Sequence, residues 1–246
     1  MDEYGPETYG DRIADVYDEW PRYPHDEEAA AEFLASVAGA GPVLELGIGT
    51  GRIALPLAAK GVEVHGIDAS EAMVSKLRAK PGGADIPVTM GDFADVRVDG
   101  RFSLIFVAFN TFFGLLTQAD QVRCFRNVAE HLTDEGAFVI QAFVPDLSRF
   151  ERGQRVDAGL VEPSRVMLDV SVHNAAEQRV DSAHLVIEGE GVQIYPVRLR
   201  FAYPSELDLM AQLAGLRLRE RWSGWKREPF GSDSAAHVSV WQRAPG

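Results

Sequence analysis

The chain is poor in the residues that build disulfides and metal centres. Cys124 is its single cysteine, which excludes an intrachain disulfide and any cysteine-rich metal site. The six histidines, at 25, 65, 131, 173, 184 and 237, form no H-x-x-x-H pair and no cluster with carboxylates, so no metal-ligand set is predicted. Long apolar runs are missing too. The stretch from Leu104 to Leu116 is interrupted by Asn110 and Thr111 and falls short of the ~20 residues that span a bilayer. The first residues, Met1-Asp2-Glu3-Tyr4, have neither the basic nor the apolar region of a secretory signal, and a cytoplasmic protein without a membrane partner is expected. Basic residues are outnumbered, with 24 Lys and Arg against 37 Asp and Glu and a net charge of −13. Nucleic acid is therefore not expected as a partner, because phosphate binding draws on clustered cationic side chains.

Glycine, by contrast, is present in an informative arrangement. Val43 to Leu46 reads as a buried strand that runs into Gly47-Ile48-Gly49-Thr50-Gly51-Arg52, where every second residue lacks a Cβ. Such a loop at the start of a helix lets a ligand reach main-chain N–H groups at the helix's positive end. Asp68 closes the next strand, seventeen residues past Gly51, near the roughly 20-residue offset at which a carboxylate takes the hydroxyls of a ribose. A dinucleotide fold requires G-x-G-x-x-G, and the third glycine position here is Arg52. That counts against an NAD-linked oxidoreductase and for a smaller nucleoside ligand.

At 246 residues and 46% hydrophobic content, the chain can build one core with an inserted subdomain. Residues 1–40 read as a helical lid carrying Tyr9, Tyr17, Trp20 and Tyr23, broken at Pro21 and Pro24. Residues 41–144 alternate strands (43–47, 62–67, 86–90, 102–108, 137–143) with helices (51–60, 70–78, 117–132). The alternation predicts an α/β fold with a doubly wound, mostly parallel sheet. Residues 145–203 change to period two at 165–173, 178–188 and 192–201, an inserted antiparallel β meander expected to lie over the carboxyl ends of the parallel strands. Residues 204–246 return to a helix, starting at Ser205-x-x-Asp208, and two strands (216–222, 236–242) that complete a seven-stranded sheet.

The arrangement Glu45-x-Gly47-x-Gly49-x-Gly51 resembles motif I of the class I S-adenosylmethionine (SAM) dependent methyltransferases, and Gly91-Asp92-Phe93 resembles that family's next motif. The likeness runs from about Tyr17 to Gln242 and implies a Rossmann-like methyltransferase fold with SAM as cofactor. It implies that Gly47, Gly49 and Gly51 cradle the methionine part and that Glu45 holds its amino group. It also implies that Asp68, with Ala69 beside it, binds the ribose and that Met73 packs against adenine. Asp92 would accept from the adenine amine, with Phe93 in contact, and Tyr17 and Ala108 complete the set. Residues 108–111 stand where the family places groups near the transferred methyl.

Methyl transfer from a sulfonium is a one-step displacement, so the protein mainly holds the acceptor about 3 Å from the methyl and excludes water. Tyr17, Tyr23 and Asn110 are the catalytic candidates, since rings shelter cationic groups and hydroxyl or amide groups orient an amine. Trp20, Tyr23, Asn110, Arg165 and Trp225 are the acceptor-binding candidates, with Lys226 and Arg227 beside them. A neutral amine needs little base catalysis, whereas an aliphatic hydroxyl needs a strong base, and no such base is evident in the sequence. His173 and His184 lie on meander strands, where one face looks toward the pocket. The balance favours N-methylation of a small-molecule acceptor over O-methylation or methylation of a peptide N-terminal amine. The meander and the segment 222–230 look like those of bacterial small-molecule methyltransferases, including amino-sugar N-methyltransferases of antibiotic pathways. A non-catalytic SAM-binding regulatory or scaffold protein is the alternative of another class. A monomer or homodimer is expected.

Overall fold

The computed structural model describes residues 4–20, 26–95 and 97–244. Two helices come first, α1 (Thr8–Ile13) and α2 (Glu27–Ala38), with a single 3-10 turn at Tyr17–Glu19 between them. Alternating units follow: β1 (Val43–Leu46), α3 (Ala54–Ala59), β2 (Val64–Asp68), α4 (Glu71–Arg78), β3 (Val88–Met90), β4 (Phe102–Val107), α5 (Gln118–His131) and β5 (Leu132–Phe143). Four strands form the insertion, β6 (Gln154–Val161), β7 (Arg165–Asn174), β8 (Arg179–Glu188) and β9 (Gly191–Arg200). The chain closes with α6 (Pro204–Leu213), β10 (Leu216–Trp222) and β11 (Ala236–Arg243).

The main sheet has the order β10-β11-β5-β4-β1-β2-β3. Strands β1 to β5 pair in parallel, and β11 runs antiparallel to both neighbours. Both faces are covered, which is why these strands are nearly continuous in apolar residues. In β4, Phe102, Ile105 and Val107 enter the core beneath α5 and α6, while Leu104 and Phe106 enter the core beneath α2 and α3. Phe125 of α5 meets Phe112, Phe138 and Trp241 edge-on at 5.1 to 5.5 Å, the preferred geometry for aromatic quadrupoles. Cys124 is buried in the same core, and burial pushes its thiol pKa up, which suits a packing residue and not a nucleophile. Among the described residues, no helix is long and apolar enough to cross a membrane.

The meander has four strands, and the period-two pattern revealed three. β6 is the strand missed: it turns Arg155 and Asp157 inward and leaves Val156 and Val161 65% and 72% exposed. Its register breaks between Ala158 and Leu160, around Gly159, so it shows no apolar face. A second difference lies at α6, which starts at Pro204 without a side-chain cap. Asp208, read as part of a capping pattern, accepts instead from Arg221 and from Trp241 Nε1.

A buried polar knot docks the meander on the core. Arg200, at the end of β9, donates to Glu206 Oε1 at 2.8 Å and to Gln121 Oε1 at 2.6 Å, and Gln121 Nε2 returns a bond to the Arg200 carbonyl at 2.7 Å. Burial would raise the Glu206 pKa, but hydrogen bonds from Arg200, Gln178 and Gln118 hold it below its ordinary value. A depressed carboxylate contributes stability above its unfolded pKa and loses it as the pH falls through the folded one. Glu206→Ala strands the Arg200 charge, and is expected to cost about 3 kcal/mol at pH 7 and much less at pH 3. Urea denaturation at the two pH values is the check.

Candidate active site

In an open parallel sheet, ligands bind where the strand order reverses, outside the carboxyl ends of the strands. Here that point lies between β1 and β4, and a narrow crevice opens there. Its walls come from Glu45 of β1, the loop residues Gly47 to Thr50 with Arg52, Phe109 and its neighbours Ala108 and Thr111 at the β4 end, and Tyr17 from the 3-10 turn. Glu45 is 5% exposed. Burial, then the neighbouring Asp68 charge, raise its pKa well above the ordinary value, against steadying contributions from the Ala54 N–H and Arg52. Its Oε2 has no hydrogen-bond partner among the described residues. A buried carboxylate oxygen in that state is costly unless a donor or cation meets it.

Asp68 faces the same loop. Its Oδ2 accepts from Gly49 N–H at 2.7 Å and its Oδ1 from Ser70 N–H at 2.9 Å. Burial raises its pKa, opposed by the N–H groups of Ser70, Gly49 and Ala69. The carboxylate thus ties the glycine loop to the start of α4, and each oxygen keeps a second lone pair for a ligand.

The three glycines have different tasks. Gly49 has a φ of +55° and open space where a Cβ would stand, save the Gly47 carbonyl at 4.0 Å, so its bare side faces the crevice. Gly47 has a φ of +71°, and a Cβ there would lie 2.5 Å from Thr111 Cγ2 and 3.8 Å from the Phe93 ring. Gly51 is a packing residue, contrary to the expectation that it cradles a ligand: with a φ of +79°, its Cβ would fall 2.4 Å from Leu77 Cδ1. Gly51→Ala is expected to cost about 1–3 kcal/mol and to lower the thermal midpoint, while calorimetry shows cofactor affinity nearly unchanged.

The β4 end stores backbone strain. Phe109 and Asn110 both have positive φ, 54° and 67°, a conformation that costs of order 1–3 kcal/mol per residue. Three bonds from β5 pin it: Phe109 N–H to Gln141 Oε1 at 2.6 Å, Asn110 N–H to the Gln141 carbonyl at 3.3 Å, and Phe143 N–H to Asn110 Oδ1 at 2.7 Å. Asn110 is expected to orient an acceptor through its carbonyl, and in the structure that oxygen accepts from Phe143 N–H, which fixes its direction. Arg52 was noted only for replacing a glycine. It lines the crevice with its guanidinium 4.1 Å from the Phe109 ring centroid and 2.5 Å from Glu27 Oε1.

The remaining candidates divide. The lid turn is latched to the loop by Thr50 Oγ1 donating to Asp18 Oδ1 at 2.7 Å, with Lys80 reaching both Asp18 and the Thr50 carbonyl. Trp20 packs against His184 and Tyr195 of the meander, at 5.4 and 5.3 Å between ring centroids. Tyr23 lies outside the described residues. Met73 is buried against α1, where a Cβ on Gly10 would come within 3.1 Å of it, and is not open to the crevice. Trp225, an acceptor-binding candidate, is 5% exposed and stacks edge-on with Phe33 of α2 at 5.6 Å, within the core beneath α2. Arg227 covers Phe33 and donates to Ser36, and the Lys226 N–H donates to Glu228. Arg165 sits at the far end of the β7–β8 ladder, 3.9 Å from Glu188. His173 packs between Phe150 and Phe201.

Asp92 accepts from Ala94 N–H at 2.8 Å through Oδ1, a turn that leaves its other oxygen for a donor. It borders a second crevice, of about 210 Å³, with Met90 and Gly91 at the carboxyl end of β3. Among the described residues, no group of three or more His, Cys, Asp or Glu side chains is placed to hold a metal ion.

A family model described as a methyltransferase domain matches residues 43–136. The methyltransferase CcbJ from Streptomyces caelestis is 46% identical, with 98% of this chain and 100% of that one covered and a TM-score of 0.94. The chain belongs to the class I SAM-dependent methyltransferases. It is an enzyme with SAM as cofactor, on the Rossmann-like methyltransferase fold. The cypemycin N-terminal methyltransferase from a Streptomyces species is 28% identical over 204 residues, 82% of each chain. SAM-bound CalS10 from Micromonospora echinaspora, an amino pentose methyltransferase, shares the fold at 23% identity, with 99% and 100% of the two chains covered and a TM-score of 0.68. The crevice of this methyltransferase suits the cofactor, because the unpartnered Glu45 oxygen calls for a cation and the open side of Gly49 admits close approach of a ligand.

Proposed function

We propose that the enzyme methylates an amine nitrogen of a small-molecule acceptor, and that the two crevices at the strand ends hold the cofactor. In this reading Glu45 meets the cofactor's ammonium, and Gly47 and Gly49 line its methionine half. Asp68, next to Ala69, takes the ribose hydroxyls. Asp92 and Phe93 take the adenine end, while Tyr17 and Ala108 flank the sulfur. The bound cofactor supplies a methyl group on a positively charged sulfur. The protein's own work is to bind, orient and exclude water: Tyr17 closes the crevice from the lid side, and the pinned Phe109 holds the wall at the β4 end.

The observation that carries the cofactor half is the buried, unpartnered Glu45 carboxylate beside an open glycine backbone. The amine half is supported by the cypemycin N-terminal methyltransferase, related across 82% of this chain. That relative also favours a second reading within the class, an acceptor that is the N-terminal amine of a peptide. Calorimetry with SAM and S-adenosylhomocysteine tests the first half, and no heat with either would end it. Incubation of amino sugars, small cyclic amines, short peptides and matching alcohols with methyl-labelled SAM tests the second. Mass spectrometry should find the label on nitrogen, and label on oxygen alone would overturn the amine reading.

A further inference from the structure

We propose that His184, held by Asp169, takes the proton from the acceptor's ammonium group. The inference rests on the amine reading and names its base. Asp169 of β7 and His184 of β8 are cross-strand partners, and Tyr195 of β9 pairs with His184 in turn, so all three side chains share one face of the meander. That face packs on the lid, where Met167, Val186 and Tyr195 bury against Ile13 with Trp20 beside them. His184 Nδ1 is hydrogen-bonded to Asp169 Oδ1. A carboxylate only accepts, so Nδ1 carries a hydrogen, and Nε2 is the nitrogen whose lone pair the neutral ring offers.

Trp20 links the dyad to the turn at the crevice mouth. The imidazole lies 5.4 Å from the Trp20 ring, and Trp20 closes the 3-10 turn that Tyr17 begins at the crevice wall. The His184 side chain is 24% exposed, so a ligand can reach it. On the meander its charged and titratable neighbours are Asp157, opposite Asp169 on β6, with its ion-pair partner Arg155, and Tyr195 on β9, while the lid turn that Trp20 closes carries Tyr17, Asp18 and Glu19. Arg149 and Asp146 stand beyond Arg155. Of these groups, an imidazole oriented by a carboxylate is the base suited to neutral pH.

An aliphatic amine arrives at pH 7 as an ammonium, its lone pair held in an N–H bond. The proton passes from nitrogen to His184 Nε2, and the resulting imidazolium is stabilised by Asp169. The freed lone pair forms the bond to the methyl carbon as the carbon–sulfur bond breaks with its electrons on sulfur. The methylated amine carries the positive charge away, and the imidazolium releases its proton to water.

The test compares the wild-type enzyme with His184→Gln and Asp169→Asn, using whichever of glucosamine, prolinamide and alanyl-alanine the wild type methylates best. At pH 7, kcat/KM of His184→Gln should fall about 10²-fold. The deficit should close as the pH rises past the acceptor's own pKa, because the amine then arrives neutral. Asp169→Asn should show the same pH-dependent recovery from a smaller loss. S-adenosylhomocysteine binding, followed by calorimetry, should be unchanged in both variants. An equal loss at every pH, or none, overturns the dyad's role and leaves N-methylation standing. No methyl gain on any of the three amines by the wild type removes the amine reading and the dyad's role with it.

Discussion

Glu45→Gln is expected to weaken SAM binding by about 10²-fold or more while making the apoprotein more stable. The two effects have one origin. In the folded apoprotein the Glu45 carboxylate is buried and one oxygen lacks a partner, so ionising it is unfavourable, and a ligand ammonium relieves that cost. Removing one partner of a buried charge pair typically costs 2–5 kcal/mol of binding. The pH dependence has a definite sign. Burial raises the folded pKa above the ordinary 4.5, so the penalty is absent below that value and develops as the pH rises through the folded pKa. The glutamine variant should therefore melt higher than wild type by about 2–6 °C at pH 8, with the gap closing toward pH 4. Scanning calorimetry of the apoprotein and titration with SAM measure both halves. Equal melting points at pH 8 would mean that Glu45 is satisfied in the apoprotein.

Asp68→Ala is expected to abolish measurable SAM binding, with a loss of 10²- to 10⁴-fold. Hydrogen bonds to a charged group contribute about 1.5–3 kcal/mol each, and a ribose presents two hydroxyls to one carboxylate. The substitution also removes the acceptor for the Gly49 and Ser70 N–H groups, which frees the loop that forms the crevice wall. Asp68→Asn separates the two contributions: it keeps the size and one acceptor oxygen but sets an NH₂ against an N–H donor. It should bind SAM weakly while melting close to wild type, whereas Asp68→Ala should also melt lower. Affinity within threefold of wild type in either variant would remove Asp68 from the ribose site.

The sequence showed the cofactor class well, because the glycine loop, Asp68 and Gly91-Asp92 lie in short contiguous segments whose spacing is fixed by one strand and one turn. It failed where a residue's task depends on a distant neighbour. Gly51 looked like its companions at 47 and 49 until Leu77 of α4 was found against it. Trp225 and Arg227, polar-tipped and in a loop, read as acceptor contacts, and α2 covers both. β6 was invisible because its inward side chains are charged and its valines face out. The Asp169–His184 pair was hidden, since the hairpin closes at Asn174 and Arg179 rather than around 174–177, which shifts the register by two residues, and neither residue is distinctive alone.

Local order of residues thus determined the α/β alternation, the strand–glycine–helix loop and the cofactor class, since each follows from backbone conformations and periodicities set within a few residues. Packing between distant segments decided which glycine has open space beside it, that Asn110 accepts from Phe143, and that a histidine and an aspartate meet against the lid. Those outcomes depend on which side chains the fold brings within hydrogen-bonding or van der Waals reach, and such distances are set only when sheet, lid and meander pack together.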